Sequence, residues 1–418
     1  MDGGGTMKHG DDARIVVEFD HTSPEHARAS EQITRELREH HPVAYTESNG
    51  GHWIITGYSG FAAAMHNEQV FSSRHETRVD AGIRFKGVNI PEAPYQNALV
   101  EMDPPEWNVF RKILNPLFSP PAIEKLEGRL LEFTTSCIDR HIESGAIDFV
   151  IDLANPVPAV AILALLGLPI DDWERYAAPA HEVVYTRPGT PEFQQAVESQ
   201  GWMFEAIAEA IAERRKHPRS DSLSAIIAAD VNGRTLTDEE IVSLLGTVIN
   251  GGVDTTTSLL ANAVEHLDRD RDLRAQLIAH PQLIPSATEE FLRYFSPVQA
   301  FARTVAQETQ LDGMTLRRGD RALMCFGAVN RDRSEFPDAD TFLVDRVPNR
   351  HVAFGLGKHR CIGSTLARTE FAIVLRQILE RMPDYELDRD QTTRYPSIGI
   401  VNGYITMPGT FSPGPPSS

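Results

Sequence analysis

Apolar positions along the chain recur mostly every three or four residues, and strict alternation is confined to a few short stretches. After Cys361, Phe371, Val374, Leu375, Ile378 and Met382 keep helical spacing, which predicts an amphipathic helix beginning at or just after that cysteine. The stretch "TDEEIVSLLGTVINGGVDTTTSLLANAVEHL" opens with a capping box, Thr237 to Glu240, and continues for about 30 residues, or ~45 Å. That is enough to span a domain. Strand-like runs flank Asn49, Gly50 and Gly51 in "VAYTESNGGHWIIT" and Asp312-Gly313 in "TQLDGMTLRRGDRALMC", two hairpin signals, and a third β patch is expected near "SIGIVNGYITM". The apolar run from Leu153 to Ile170 approaches the ~18 residues of a membrane span. Asn155, Pro156, Pro158, Gly167 and Pro169 interrupt it and Asp152 and Asp171 close its ends, so it reads as a buried helix. Without internal repeats or a Gly/Ser/Pro-rich linker, the expected organisation is a flexible lead-in (1–14), one domain (15–408) and a flexible tail (409–418), mainly α with small β-sheets.

One segment of the long helix does not suit a helix. "NGGVDTTTSL", Asn250 to Leu259, holds two adjacent glycines and three threonines, and each glycine costs roughly 1 kcal/mol relative to alanine. Composition narrows what they could serve. The 418 residues are 41% hydrophobic and 24% charged, ordinary for a globular protein, and the net charge of -19 argues against a nucleic-acid partner. Three scattered cysteines, Cys137, Cys325 and Cys361, in no C-x-x-C pattern argue against a disulfide framework or a Cys-rich zinc site, and a reducing cytoplasm is the expected location. The N-terminal "MDGGGTMKHGDDAR" has no apolar core of the kind a signal peptide or anchor needs.

The chemistry concentrates in "FGLGKHRCIG", Phe354 to Gly363. Gly355, Gly357 and Gly363 make a tight, backbone-permissive loop around Cys361 just ahead of a helix, while Lys358, His359 and Arg360 add positive charge. Both features favour a thiolate, and nearby backbone N–H groups can tune one bound to a metal. With this full pattern the chain resembles the cytochrome P-450 family of haem-thiolate monooxygenases, soluble bacterial type, from about residue 15 to 408. The resemblance implies that family's fold, a single triangular-prism-like domain with a long central helix over the haem. It makes Cys361 the axial iron ligand of haem b, places Phe354 and Gly355 beside it, and puts His359 near a haem propionate. Glu290 and Arg293, alone a routine helix pair, resemble the family's E-x-x-R element, with Arg346 as the third member; their role is structural. Trp107 and Arg111 resemble the helix that carries propionate partners, Arg303 completes that set, and His351 is a weaker candidate. Many soluble bacterial members have His where Trp107 stands. Gly251, Gly252, Val253, Asp254 and Thr255 resemble the oxygen-activation motif. There the glycines clear space over the iron, a locally widened turn accepts dioxygen and water, and Asp254 and Thr255 deliver protons.

The implied reaction inserts one atom of dioxygen into an apolar substrate and releases the other as water, using two electrons and two protons. No segment remains for a flavin or iron-sulfur centre, so electrons are expected from NAD(P)H through a separate ferredoxin and reductase, docking on Arg111, Lys112, Lys358, Arg360 and Arg368. The expected pocket residues are Ile83, Phe85, Val88, Val248, Val298, Phe301 and Ile400, suiting a terpenoid, fatty acid, steroid or aromatic compound. Two other functions remain in view. A peroxide-driven peroxygenase would dispense with the acid-alcohol pair, and a haem-binding sensor or carrier would need no dioxygen notch.

Overall fold

Thr237 caps the long helix as its sequence predicts. Its hydroxyl accepts from Glu240 N–H at 3.2 Å, and Glu240 returns a hydrogen bond to Thr237 N–H at 2.9 Å. In this computed structural model, which describes residues 14–80 and 82–417, the helix runs Asp238–Arg269, 32 residues. It is the axis of the molecule, with Pro156–Leu166, Trp173–Tyr185, Gly201–Lys216 and Ser364–Arg381 packed around it. Nineteen of its residues are buried, far more than one face, because helices cover it on several sides.

The stretch suspected of spanning a membrane is a turn of π-helix, Phe149–Ala154, followed by the helix Pro156–Leu166, in which only Ala164 is not buried. By length and composition it is the one stretch among the described residues that could cross a membrane, and it is 78% buried inside the protein. Thr257 fastens the central helix to it, donating to Ala154 O at 2.8 Å.

Both hairpins form. Val43–Thr46 pairs with His52–Ile55 antiparallel, Val43 opposite Ile55, around a turn where Asn49, Gly50 and Gly51 all have positive φ. Thr309–Leu311 pairs with Met314–Leu316 around Asp312 and Gly313, at φ 46° and 79°. The largest sheet orders Val43–Thr46, His52–Ile55, Arg321–Cys325, Ala300–Val305 and Phe71–Ser72; the second and third of these run parallel and the other neighbours antiparallel. Around the third expected β patch, Tyr404–Thr406 pairs with Thr393–Arg394.

The tail departs from expectation. Pro408–Thr410 is a strand between Ala146–Asp148 and Glu386–Leu387, Phe411 is buried, and Gly414 N–H donates to Ile142 O at 3.0 Å. Residues 408–417 are therefore held against the body rather than free, because Phe411 has an apolar site to fill. The lead-in lies outside the described residues except for Arg14, whose guanidinium sits 4.4 Å from the Tyr45 ring centre.

Candidate active site

The loop before Ser364–Arg381 and the middle of the central helix face each other across one cavity, with about 1450 Å³ of empty space counting its open mouth. Cys361, Phe354, Gly355, His359, Trp107, Arg111, Arg303, Gly251, Gly252 and Thr255 all line it. So do Val88, Val248, Val298 and Phe301.

The cysteine loop is tight for a stated reason. Gly355 and Gly357 have φ of 69° and 67°, and a Cβ on Gly357 would stand 2.3 Å from Met65 O. Gly363, at φ -80°, needs no such freedom. Cys361 N–H donates to Phe354 O at 2.8 Å, closing the turn. Cys361 is exposed to the cavity that it lines, and the protein packed around it pushes its thiol above the ordinary value. The Gly363 backbone, Arg111, Arg360 and Arg368 oppose the rise without cancelling it. The cationic surroundings thus do less than the sequence suggests; a metal ion at Sγ would supply the stronger drive to ionise.

Three basic groups converge, none of them in an ion pair among the described residues, with Asp103 acting on Arg303 only at longer range. Arg303 is buried, its guanidinium donating to Ala302 O at 2.8 Å and approaching Met65 Sδ at 3.8 Å, and burial brings its pKa down to about 10. Burial, then repulsion from Arg303, Arg111 and Lys358, lowers His359 to about 3. His359 Nε2 is buried with no hydrogen-bond partner among the described residues. Trp107 lies 5.7 Å from the His359 ring. Arg111 reaches Arg360 O at 3.0 Å and Asn115 Oδ1 at 3.1 Å. Orphaned donors and desolvated cations lining an apolar cavity fit a flat apolar group bearing carboxylates, as haem does with its two propionates. Arg303, Arg111, His359 and Trp107 would hold the propionates and Cys361 the iron. His351 does not join them; it bonds Glu289 instead.

The opposite wall divides the roles of the glycines. A Cβ at Gly251 would meet nothing within 4 Å, whereas one at Gly252 would lie 3.1 Å from Ile162. Gly251 is clearance, and Gly252 is also a packing notch. The backbone stays α-helical throughout instead of widening, and Thr255 Oγ1 donates to Gly251 O at 2.9 Å. Asp254 does not line the cavity. It is fully buried, and its Oδ1 accepts from Tyr395 OH at 2.7 Å and lies 2.5 Å from His181 Nδ1. Burial and Asp254 push the Tyr395 phenol well up, so it stays a donor.

Other placements follow from packing. Glu290 and Arg293 are fully buried in a two-pronged pair at 2.7 and 2.8 Å, Arg346 Nε adds bonds at 3.1 and 3.2 Å, and Arg293 also donates to Asn330 O and Ala339 O, both at 2.9 Å. Burial would raise the Glu290 carboxyl, yet Arg293 and its other partners hold it below its usual value. Of the expected pocket residues, three lie off the cavity wall. Phe85 packs under the Arg74 guanidinium at 3.8 Å, Ile83 fills the space beside Gly319, and Ile400 joins Tyr395, Ile398 and Val401. Of the expected docking cations, Lys358 pairs with Glu68 and Arg368 with Glu289, while Lys112 and Arg360 are exposed.

The sequence reading missed Leu99, Val100 and Thr247 on the wall, and Glu370. Burial pushes the Glu370 carboxyl well above its usual value, against a hydrogen bond from Thr256. A lone acid on the apolar face of Ser364–Arg381 was a readable signal for Glu370. His181 and Tyr395 offered none.

A single cysteine facing a glycine notch across a cation-rimmed apolar cavity has the outline of a haem-thiolate site. The family profile described as Cytochrome P450 matches residues 260–399. The steroid C26-monooxygenase of Mycolicibacterium smegmatis is 32% identical over 388 residues, covering 91% of this chain and 92% of that protein. The mycinamicin IV hydroxylase/epoxidase of Micromonospora griseorubida is 32% identical over 379 residues, covering 89% and 93%. Among solved structures, Mycobacterium marinum cytochrome P450 CYP268A2 in complex with pseudoionone has a TM-score of 0.86 at 26% identity, over 95% of this chain and 99% of that one. The chain belongs to the cytochrome P450 family and is a haem-dependent monooxygenase.

Proposed function

We propose that this enzyme hydroxylates or epoxidises a bulky, mostly apolar, alicyclic substrate, steroid- or macrolide-like in size, using haem b and electrons from NAD(P)H passed through a separate ferredoxin and reductase. The observation that carries the reading is the shared cavity: Cys361 on one wall, Gly251 and Thr255 on the other, and Val88, Val248, Val298 and Phe301 beside them. The steroid C26-monooxygenase and mycinamicin IV hydroxylase/epoxidase activities named for the two relatives support the substrate class. Haem supplies the dioxygen chemistry when bound, held at Cys361. The chain's residues manage the rest. The apolar wall orients the substrate and displaces water. Thr255 presents its hydroxyl to the cavity, and Asp254, the next residue back, holds the proton supply. Asp254 Oδ1 lies 2.5 Å from His181 Nδ1 and accepts from Tyr395 OH at 2.7 Å, and these two partners hold the carboxyl in place behind Thr255. Exposed Lys112 and Arg360 are the remaining attraction for an acidic ferredoxin, and a cytoplasmic location follows from that partner.

The reading is tested by titrating steroids, macrolides, fatty acids and terpenoids and following the haem spin state, then measuring product per NAD(P)H with a ferredoxin and reductase. Steroids or macrolides should give the largest shift and an oxygenated product. A response confined to linear fatty acids would overturn the substrate class, and no NAD(P)H consumption with any ferredoxin would overturn the electron route. Thr255→Ala should keep the spin-state response and divert electrons to hydrogen peroxide; unchanged product per NAD(P)H would remove Thr255 from proton delivery.

A further inference from the structure

Arg368 belongs by sequence to the docking patch, but its guanidinium, half-buried at the surface, is committed to a neighbouring carboxylate. Nε and Nη2 donate to the two oxygens of Glu289 at 2.6 and 2.8 Å, the forked geometry that makes such pairs strong. Its cationic face lies 4.4 Å from the centre of the Phe354 ring. Glu289 Oε2 takes a further hydrogen bond from His351 Nε2 at 3.0 Å. Ala353 N–H donates to His351 Nδ1 at 3.3 Å, which leaves the ring proton on Nε2. The His351 ring is 6.0 Å from that of Phe354. Phe354 is thus flanked by two members of one hydrogen-bonded cluster, and its carbonyl is the group that takes Cys361 N–H.

The cluster is also electrically balanced. Burial would raise the Glu289 carboxyl, but the hydrogen bonds from Arg368 and His351 and the charge of Arg368 bring it to about 2, so it stands as an anion against one guanidinium. That balance matters because the Arg368 charge is felt at Cys361.

We propose that Glu289, Arg368 and His351 are positioning residues of the cysteine loop: they fix Phe354 against Cys361, and the Glu289 carboxylate cancels the Arg368 charge that would otherwise raise the reduction potential of the bound haem. This rests on reading Cys361 as the iron ligand. Removing Glu289 leaves a bare cation over the Phe354 ring, within electrostatic reach of the sulfur, and favours the extra electron. Removing Arg368 leaves a bare anion and disfavours it. A pair that only braced the loop would give no such opposition of sign.

The test is an anaerobic redox titration of the holoenzyme, with the reduced carbon monoxide spectrum recorded for each protein. Glu289→Gln should shift the midpoint potential upward, Arg368→Gln downward, and the double variant should return near the parent, all with the red-shifted band of a thiolate ligand. Arg368→Lys, which keeps the charge but loses the fork, should hold the potential and lose that band faster on warming. Shifts of the same sign in both single variants, or none in either, would overturn the proposal while leaving the ligand intact. A parent protein without the red-shifted band would instead overturn the reading of Cys361.

Discussion

Gly251 and Gly252 are neighbours with different surroundings, and that separates their substitutions. Alanine at Gly251 gains helix propensity of up to ~1 kcal/mol and meets open space, so the melting temperature should rise while turnover falls as the methyl enters the cavity. Alanine at Gly252 gains the same propensity but must displace Ile162, so its melting temperature should not rise unless Ile162→Val is added. Thermal melts decide it: Gly252→Ala matching Gly251→Ala would show that Ile162 yields freely. Arg293→Met removes the forked partner of fully buried Glu290, leaving Arg346 as its one cationic partner among the described residues, and should cost roughly 3–5 kcal/mol, read as a lower denaturant midpoint and a loss of haem-loaded yield. These residues were legible because one local run holds each chemistry: cysteine among glycines, acid and base one turn apart. Asp254's partners were not. His181 and Tyr395 stand 73 and 141 residues away, and no periodicity links positions brought together only by helix packing.

At the scale of elements, the hairpins and the capped central helix were readable because turn residues and caps act locally. Residues 73–80 and 82–101 were not, since they have little regular structure and are organised by one side chain. Fully buried Glu101 accepts from Val88 N–H at 2.9 Å, Asn97 N–H at 2.8 Å and His75 Nδ1 at 3.1 Å. That explains why Val88 reaches the cavity wall while Ile83 and Phe85 pack elsewhere. The tail misled for the opposite reason: a sequence of small residues and prolines looks free, but buried Phe411 anchors it. Ending the chain after Thr410 should lower the melting temperature, by an amount consistent with the ~2–3 kcal/mol of a buried phenylalanine. Near the N-terminus, burial lowers His21 and His26 to about 4 and His52 to about 3. Their folded values lie below the unfolded value of about 6.5, so the unfolded chain binds more protons and stability falls as pH drops from there toward 3–4. Melting curves across that range should show the loss; a flat profile would mean that these rings stay neutral in both states.

At the scale of the whole molecule, a net charge of -19 would work against the acidic ferredoxin proposed above, so the proposed docking depends on local basic ground. Lys112→Glu or Arg360→Glu should therefore slow ferredoxin-driven turnover, and more at low salt than above 0.1 M, where charges screen over about 10 Å. Equal losses at both salts would move the docking site elsewhere. The same unevenness of charge bears on how the protein is made. Among the described residues, Arg303 and Arg111 meet around an apolar cavity with no ion pair to a carboxylate, so a bound dianion would stabilise the folded chain by adding an attraction it otherwise lacks. Haem-starved expression should yield a protein that melts lower and is cleaved faster by proteases than the loaded form, and adding haem should recover both. In a growing cell, cofactor supply would then govern how much of this polypeptide survives, and not only how much of it works.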